Sequence, residues 1–155
     1  MEGITSYYDE LLLRRAGFYT KEEFLSKMQS QINYVEGSPG SRVQPVAHAS
    51  FDAWIKAYRP NENSSNTTMT YYSRGAVLGA VLDAYLIQKS NKKRSLDGFM
   101  QLLYNKYALE LKRGFTEAEF EQELSTYCGE DMHAFFANYV NGTQIIPYQK
   151  YLEPM

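Results

Sequence analysis

The chain has 155 residues with 44% hydrophobic content, enough for one helical domain with a real core and too few to make two comfortably. Its net charge is -2 and its Lys and Arg are scattered, so the basic stripe of a nucleic-acid binder is absent. A single cysteine, Cys128, excludes an intramolecular disulfide framework. The longest apolar run, 76–87, is interrupted by Asp83 and is too short to span a bilayer.

In chain order, Ile4, Tyr7, Tyr8, Leu11 and Leu12 recur at helical spacing with Gly17 as a stop, so the spacing predicts a helix from almost the first residue. Thr20 and Glu23 form a capping box for a second helix, with Tyr19 and Phe24 at the hydrophobic-staple positions. The segment 36–45 carries two Gly and two Pro and reads as a loop. Ser50 is placed to cap a short helix that Pro60 ends, and NENSSNTTMT then reads as a surface loop anchored only by Met69.

From about 70 to 89 runs the most hydrophobic helix, apolar nearly all round and expected at the centre of the core. Gly75, Ala76, Gly79 and Ala80 keep part of it thin. A helical Gly costs about 1 kcal/mol relative to Ala, so these positions predict the close approach of another backbone. Ser95 is expected to cap the next helix, Thr116 and Glu119 repeat the capping box with Phe115 and Phe120 as staple, and Asp131 can cap a last helix. The tail from 143 to 155 reads as an extended segment. The expected fold class is all-α, with about six to seven helices around the central one and an extended C-terminal tail.

Fourteen Tyr and eight Phe suit either an aromatic core or a cleft-lining surface. His48 and His133 lack a second ligand at a zinc-motif spacing, and Cys128 reads as a small buried thiol near a helix end. Glu2 lies about 160° from the centre of the first helix's apolar stripe, on a face shared with Ser6, Asp9 and Leu13, which alone describes a solvated carboxylate. Tyr72 and Asp83 fall on nearly one face of the central helix. That polar strip is either a buried hydrogen bond or salt bridge, or a cleft wall with a phenol at its edge.

Taken together, EGITSYYDELLLRRAG, HASFDAWIKAY, TYYSRGAVLGAVLD and FFANYVNGTQIIPYQKYL resemble, in that order and over essentially the whole chain, the glycyl aminopeptidase family of gluzincin zinc metallopeptidases. The resemblance implies a thermolysin-like catalytic domain followed by a PDZ domain, of which this chain is the helical C-terminal half, with 143–155 running out toward the PDZ domain. EGIT resembles the segment that carries the third zinc ligand, which maps that role to Glu2. YSRG resembles a Y-x-K-G segment whose phenol stabilises the oxyanion, which maps that role to Tyr72, with Tyr71 as the less favoured register and Arg74 in place of the Lys. Asp9 and Asp83 are assigned weaker cleft or supporting roles.

No HExxH occurs in the sequence, so two zinc ligands and the general base are missing. The expectation is a zinc-dependent aminopeptidase for the longer protein, with preference after small residues such as Gly or Ala, and an inactive, zinc-free polypeptide for this chain alone. The partners implied are a peptide substrate, the N-terminal half of the catalytic domain, the PDZ domain and, through exposed apolar surface, a second copy of the chain. The competing reading is a non-catalytic helical interaction module or a degenerate peptidase homologue.

Overall fold

A computed structural model of the chain describes residues 2–152; Met1 and the last three residues of the tail lie outside the described residues. The chain is all-α, with no strand among the described residues. It forms two compact units, Met1–Ala80 with Asn138–Ile146, and Val81–Ala137 with Pro147–Met155.

In the first unit, α1 (Glu2–Arg15) ends where Gly17 takes a positive φ of 84°, and α2 (Lys21–Gly37) follows. The Thr20 hydroxyl accepts from the Glu23 amide at 3.1 Å and the Glu23 carboxylate accepts from the Thr20 amide at 2.8 Å, which completes the expected capping box. Of the predicted stripe on α1, Tyr7 is buried while Leu12 is exposed. A 3₁₀ turn (Pro39–Arg42) leads into α3 (Val46–Phe51), a short turn α4 (Ser64–Thr67), and the first part of α5 (Tyr71–Lys89).

Two details differ from expectation here. The helix α3 begins four residues before Ser50 and ends at Phe51, so residues 52–58, expected to be helical, run in turns; Pro45 occupies the N-cap with an extended backbone and its fixed φ suits a helix start. The polar stretch also condenses into α4, where the Thr68 hydroxyl and amide both bond the Ser64 carbonyl. Met69 behind it is buried, as the sequence suggested.

The second unit contains the remainder of α5, then α6 (Leu96–Leu103) continuing as π-helical turns over Tyr104–Glu110, α7 (Glu117–Cys128), α8 (His133–Phe135) and α9 (Tyr148–Leu152). Phe99, Leu96, Leu124 and Leu86 are wholly buried in its core. The Phe115 and Phe120 rings meet at 5.7 Å, as the staple requires, and Phe120 stands edge-on to Phe99 at 5.2 Å. Ser95 occupies the N-cap of α6 without capping through its side chain. Asp83 supplies the acceptor instead: its Oδ1 takes the Leu96 amide at 2.7 Å. The tail is not extended throughout, since Tyr148–Leu152 is helical and buries Tyr151 edge-on against Tyr85 and Phe135.

Arg113 grips Glu119 with two hydrogen bonds of 3.0 and 2.6 Å. These bonds, with the Thr116 amide, hold the Glu119 carboxyl at about 2 instead of the ordinary 4.5. A depressed carboxyl pKa contributes stability that is fully present above the unfolded value and is lost as pH falls through the folded one. Glu119→Gln keeps the capping-box geometry and loses the charge pairing. Its melting temperature is expected to lie below wild type at pH 6, with the gap closing between about pH 4.5 and about pH 2. A gap independent of pH in thermal melts would reject this assignment.

Candidate active site

The start of α5 is fixed from several sides within the first unit. The wholly buried Arg74 donates from Nη1 to the Ser41 carbonyl at 2.9 Å and from Nη2 to the Gln144 carbonyl at 3.3 Å. The buried Gln44 accepts the Met69 amide through Oε1 at 3.2 Å. Gly40 lies so close to the Thr68 backbone that a Cβ on it would sit 1.9 Å from the Thr68 carbonyl oxygen. These contacts set where Tyr71 and Tyr72 leave the loop and enter the helix.

The first turn of α1 meets this point backbone to backbone. A Cβ on Gly3 would fall 2.4 Å from the Gly75 Cα and 2.8 Å from the Tyr71 carbonyl oxygen, and one on Gly75 would fall 2.5 Å from the Gly3 Cα. One turn further along α5, Gly79 packs against the Tyr7 side chain. The predicted close approach along the thin face is therefore made by α1. Tyr71 and Tyr72 stand four and three residues before Gly75, on the same side of α5, so the contact sets the exposed Glu2 carboxylate beside the Tyr71 hydroxyl.

Three phenols gather there. The Tyr58 hydroxyl lies 3.2 Å from the hydroxyl of Tyr71 and 3.2 Å from that of Tyr72. The Tyr71 and Tyr72 rings stack at 4.3 Å, and the Trp54 ring lies 5.4 Å from that of Tyr58. Hydrogen bonding with Tyr71, then with Tyr72, pulls the Tyr58 hydroxyl below the ordinary phenol range. The same contacts act in reverse on the partners: hydrogen bonding with Tyr58 is the leading cause that raises both Tyr71 and Tyr72, with Glu2 reinforcing both.

Comparison with known proteins gives the family. A family model described as M61 glycyl aminopeptidase matches residues 1–78, half of the chain and the part that holds Glu2, Tyr58, Tyr71 and Tyr72. The chain belongs to the M61 glycyl aminopeptidase family. It is also similar to the crystal structure of an aminopeptidase N family protein from Idiomarina loihiensis, with a TM-score of 0.90, 29% identity, and coverage of 98% of this chain and 26% of that one. The chain thus spans about a quarter of that protein's length. No curated protein matches it significantly.

In this M61 chain, Glu2, Tyr71 and Tyr72 come together, and Tyr58, the last residue of HASFDAWIKAY, joins them without having been given a role by the sequence. Asp9 is exposed on α1, and Asp83 belongs to the second unit, where it accepts the Leu96 amide. His48 is exposed, and His133 pairs with Glu121 at 2.8 Å, which raises the imidazole's pKa. Cys128 is buried, and desolvation pushes its thiol up, the opposite of an activated nucleophile.

The glycine contact has a measurable consequence. Gly→Ala inside a helix ordinarily stabilises by up to about 1 kcal/mol. At Gly75 the added methyl collides with backbone that cannot rotate away, so Gly75→Ala is expected to destabilise by about 1–3 kcal/mol. Gly37→Ala, where nothing lies within 4 Å, is expected to be neutral or stabilising by about 0.4–1 kcal/mol. Urea unfolding of the two variants checks this, and a stabilised Gly75→Ala would contradict the contact.

Proposed function

We propose that the chain is the part of a zinc-dependent aminopeptidase that supplies one metal-binding carboxylate, Glu2, and one oxyanion-stabilising phenol, Tyr72. The observation that carries this reading is the Gly3–Gly75 backbone contact, which holds an exposed carboxylate beside a phenol cluster on a neighbouring helix. Zinc takes oxygen from carboxylates, and catalytic sites use three protein ligands. Among the described residues no group of three His, Cys, Asp or Glu could hold a metal ion. On the family resemblance, Glu2 would be a single contributed ligand and an HExxH helix would supply the other two.

When bound, zinc would polarise the scissile carbonyl and lower the pKa of a water at the site. The residues of this chain have simpler tasks. Glu2 would hold the metal through its carboxylate and supply negative charge to it. Tyr72 donates its hydroxyl hydrogen to the peptide carbonyl oxygen as negative charge builds there. Tyr72 fits this role better than Tyr71 because it is 39% exposed, whereas Tyr71 is 6% exposed and turned toward Glu2. Asp9 and Asp83 are assigned no step. The preference after small residues and the neighbouring PDZ domain rest on the family resemblance alone.

In the full-length protein, Tyr72→Phe is expected to lower kcat by about 10²–10³-fold, the usual loss for one oxyanion donor, with zinc content unchanged. Glu2→Ala is expected to lose zinc, measured by elemental analysis after dialysis. The 155-residue chain alone is expected to show no hydrolysis of glycyl or alanyl substrates with zinc added. Full turnover in Tyr72→Phe, or a reading frame with no HExxH upstream of Glu2, would overturn the proposal.

A further inference from the structure

The phenol cluster contains one residue that neither family resemblance nor sequence pattern singled out. Tyr58 sits after α3, in a turn whose amide bonds the carbonyl of the buried Ala53 at 3.0 Å, and its hydroxyl is equidistant from those of Tyr71 and Tyr72. Counting hydrogens orients the cluster. An ionised carboxylate can only accept, so Tyr71 gives its single hydrogen to Glu2, the strongest acceptor it faces. The Tyr71 oxygen is then open to the hydrogen of Tyr58, and the Tyr58 oxygen to that of Tyr72. The chain runs Tyr72 to Tyr58 to Tyr71 to Glu2 and ends on the carboxylate.

We propose that Tyr58 is a positioning residue for Tyr72: its hydroxyl, anchored through Tyr71 to Glu2, holds the Tyr72 phenol where its hydrogen can swing to the oxyanion. The inference rests on the oxyanion role of Tyr72 and deepens it. The need for such a holder follows from the surroundings. Tyr72 is partly exposed, is stacked on one side by Tyr71, and its hydroxyl lies at hydrogen-bond distance from Tyr58. A donor contributes most to a transition state when it is already in place. Without the Tyr58 hydroxyl, Tyr72 keeps its chemistry and loses its fixed position.

The test is a double-mutant cycle in the full-length protein, with kcat and KM measured separately and thermal melting as a control. A neutral hydrogen bond of ordinary strength corresponds to a fall in kcat of about 2- to 13-fold in Tyr58→Phe, with KM and melting temperature unchanged. In the Tyr72→Phe background, Tyr58→Phe is expected to lower kcat no further. An equal fall in both backgrounds, or no fall in Tyr58→Phe while Tyr72→Phe is impaired, overturns the positioning role.

A second readout needs no turnover. With 3-fluorotyrosine placed at position 72 of the full-length protein, Tyr58→Phe is expected to shift its ¹⁹F resonance, and Tyr34→Phe, a change at an exposed tyrosine on α2, is expected to leave it in place. An unmoved resonance in Tyr58→Phe overturns the contact itself. If Tyr72→Phe proves fully active while the resonance moves, the oxyanion role fails and the Tyr58 contact stands as structural, which overturns its catalytic meaning.

Discussion

The site depends on two glycines that leave no room for anything else. Gly3 and Gly75 bring the backbones of α1 and α5 into direct contact, and neither position accepts a Cβ without displacing main chain. Since residues three and four apart on a helix share a side, fixing Gly75 against α1 also fixes the bearing of Tyr71 and Tyr72. Glu2 is adjacent to Gly3, so its backbone is held close to those phenols and its carboxylate within reach of Tyr71. A wider helix spacing would leave the same side chains present with no defined relation among them.

The same helix meets its buried charges with one rule. Arg74 and Asp83 are both buried on α5, an expensive arrangement unless each charge finds hydrogen-bond partners. In the first unit, Arg74 satisfies carbonyls of the 3₁₀ turn and of the segment after α8, and so ties chain that has no regular structure of its own to the helix start. In the second unit, Asp83 accepts the first amide of α6 and does the work of an N-cap from thirteen residues away. Both charges therefore attach irregular or newly starting backbone to α5. That accounts for two charged side chains buried on a helix otherwise largely apolar.

What could be read from the sequence divides along the range of the interactions. The capping boxes at Thr20 and Thr116 are local, involve residues three apart, and appear as expected. The thin face of α5 was legible because Gly in a helix has a cost that calls for a reason, although the sequence could not say that α1 supplies the partner. The start of α3 was misplaced because Pro45 and Ser50 offer two local signals and only packing of Val46 and Ala49 chooses between them. Ser95 was expected to cap α6, and the distant Asp83 took the bond. The helix in the tail escaped notice since five residues carry too little periodicity, and Tyr151 earns its helix by burial against Tyr85 and Phe135.

Tyr58 shows the same limit at the site. Within its own segment it is one more large exposed side chain in a run with Phe51, Trp54 and Ile55, and nothing local separates it from them. Its distinction comes from partners thirteen and fourteen residues on. Paired tyrosines at 71 and 72 left two registers open, and the proposal for Tyr72 rests on the gradient of exposure: a buried phenol facing a carboxylate has its hydrogen committed, whereas a partly exposed one beside a neutral hydroxyl can give its hydrogen to a stronger acceptor. On the proposed oxyanion role, the tandem divides one task between two adjacent side chains, Tyr71 anchoring to Glu2 and Tyr72 reaching outward, with Tyr58 as the bridge that makes the anchor felt at the outer hydroxyl.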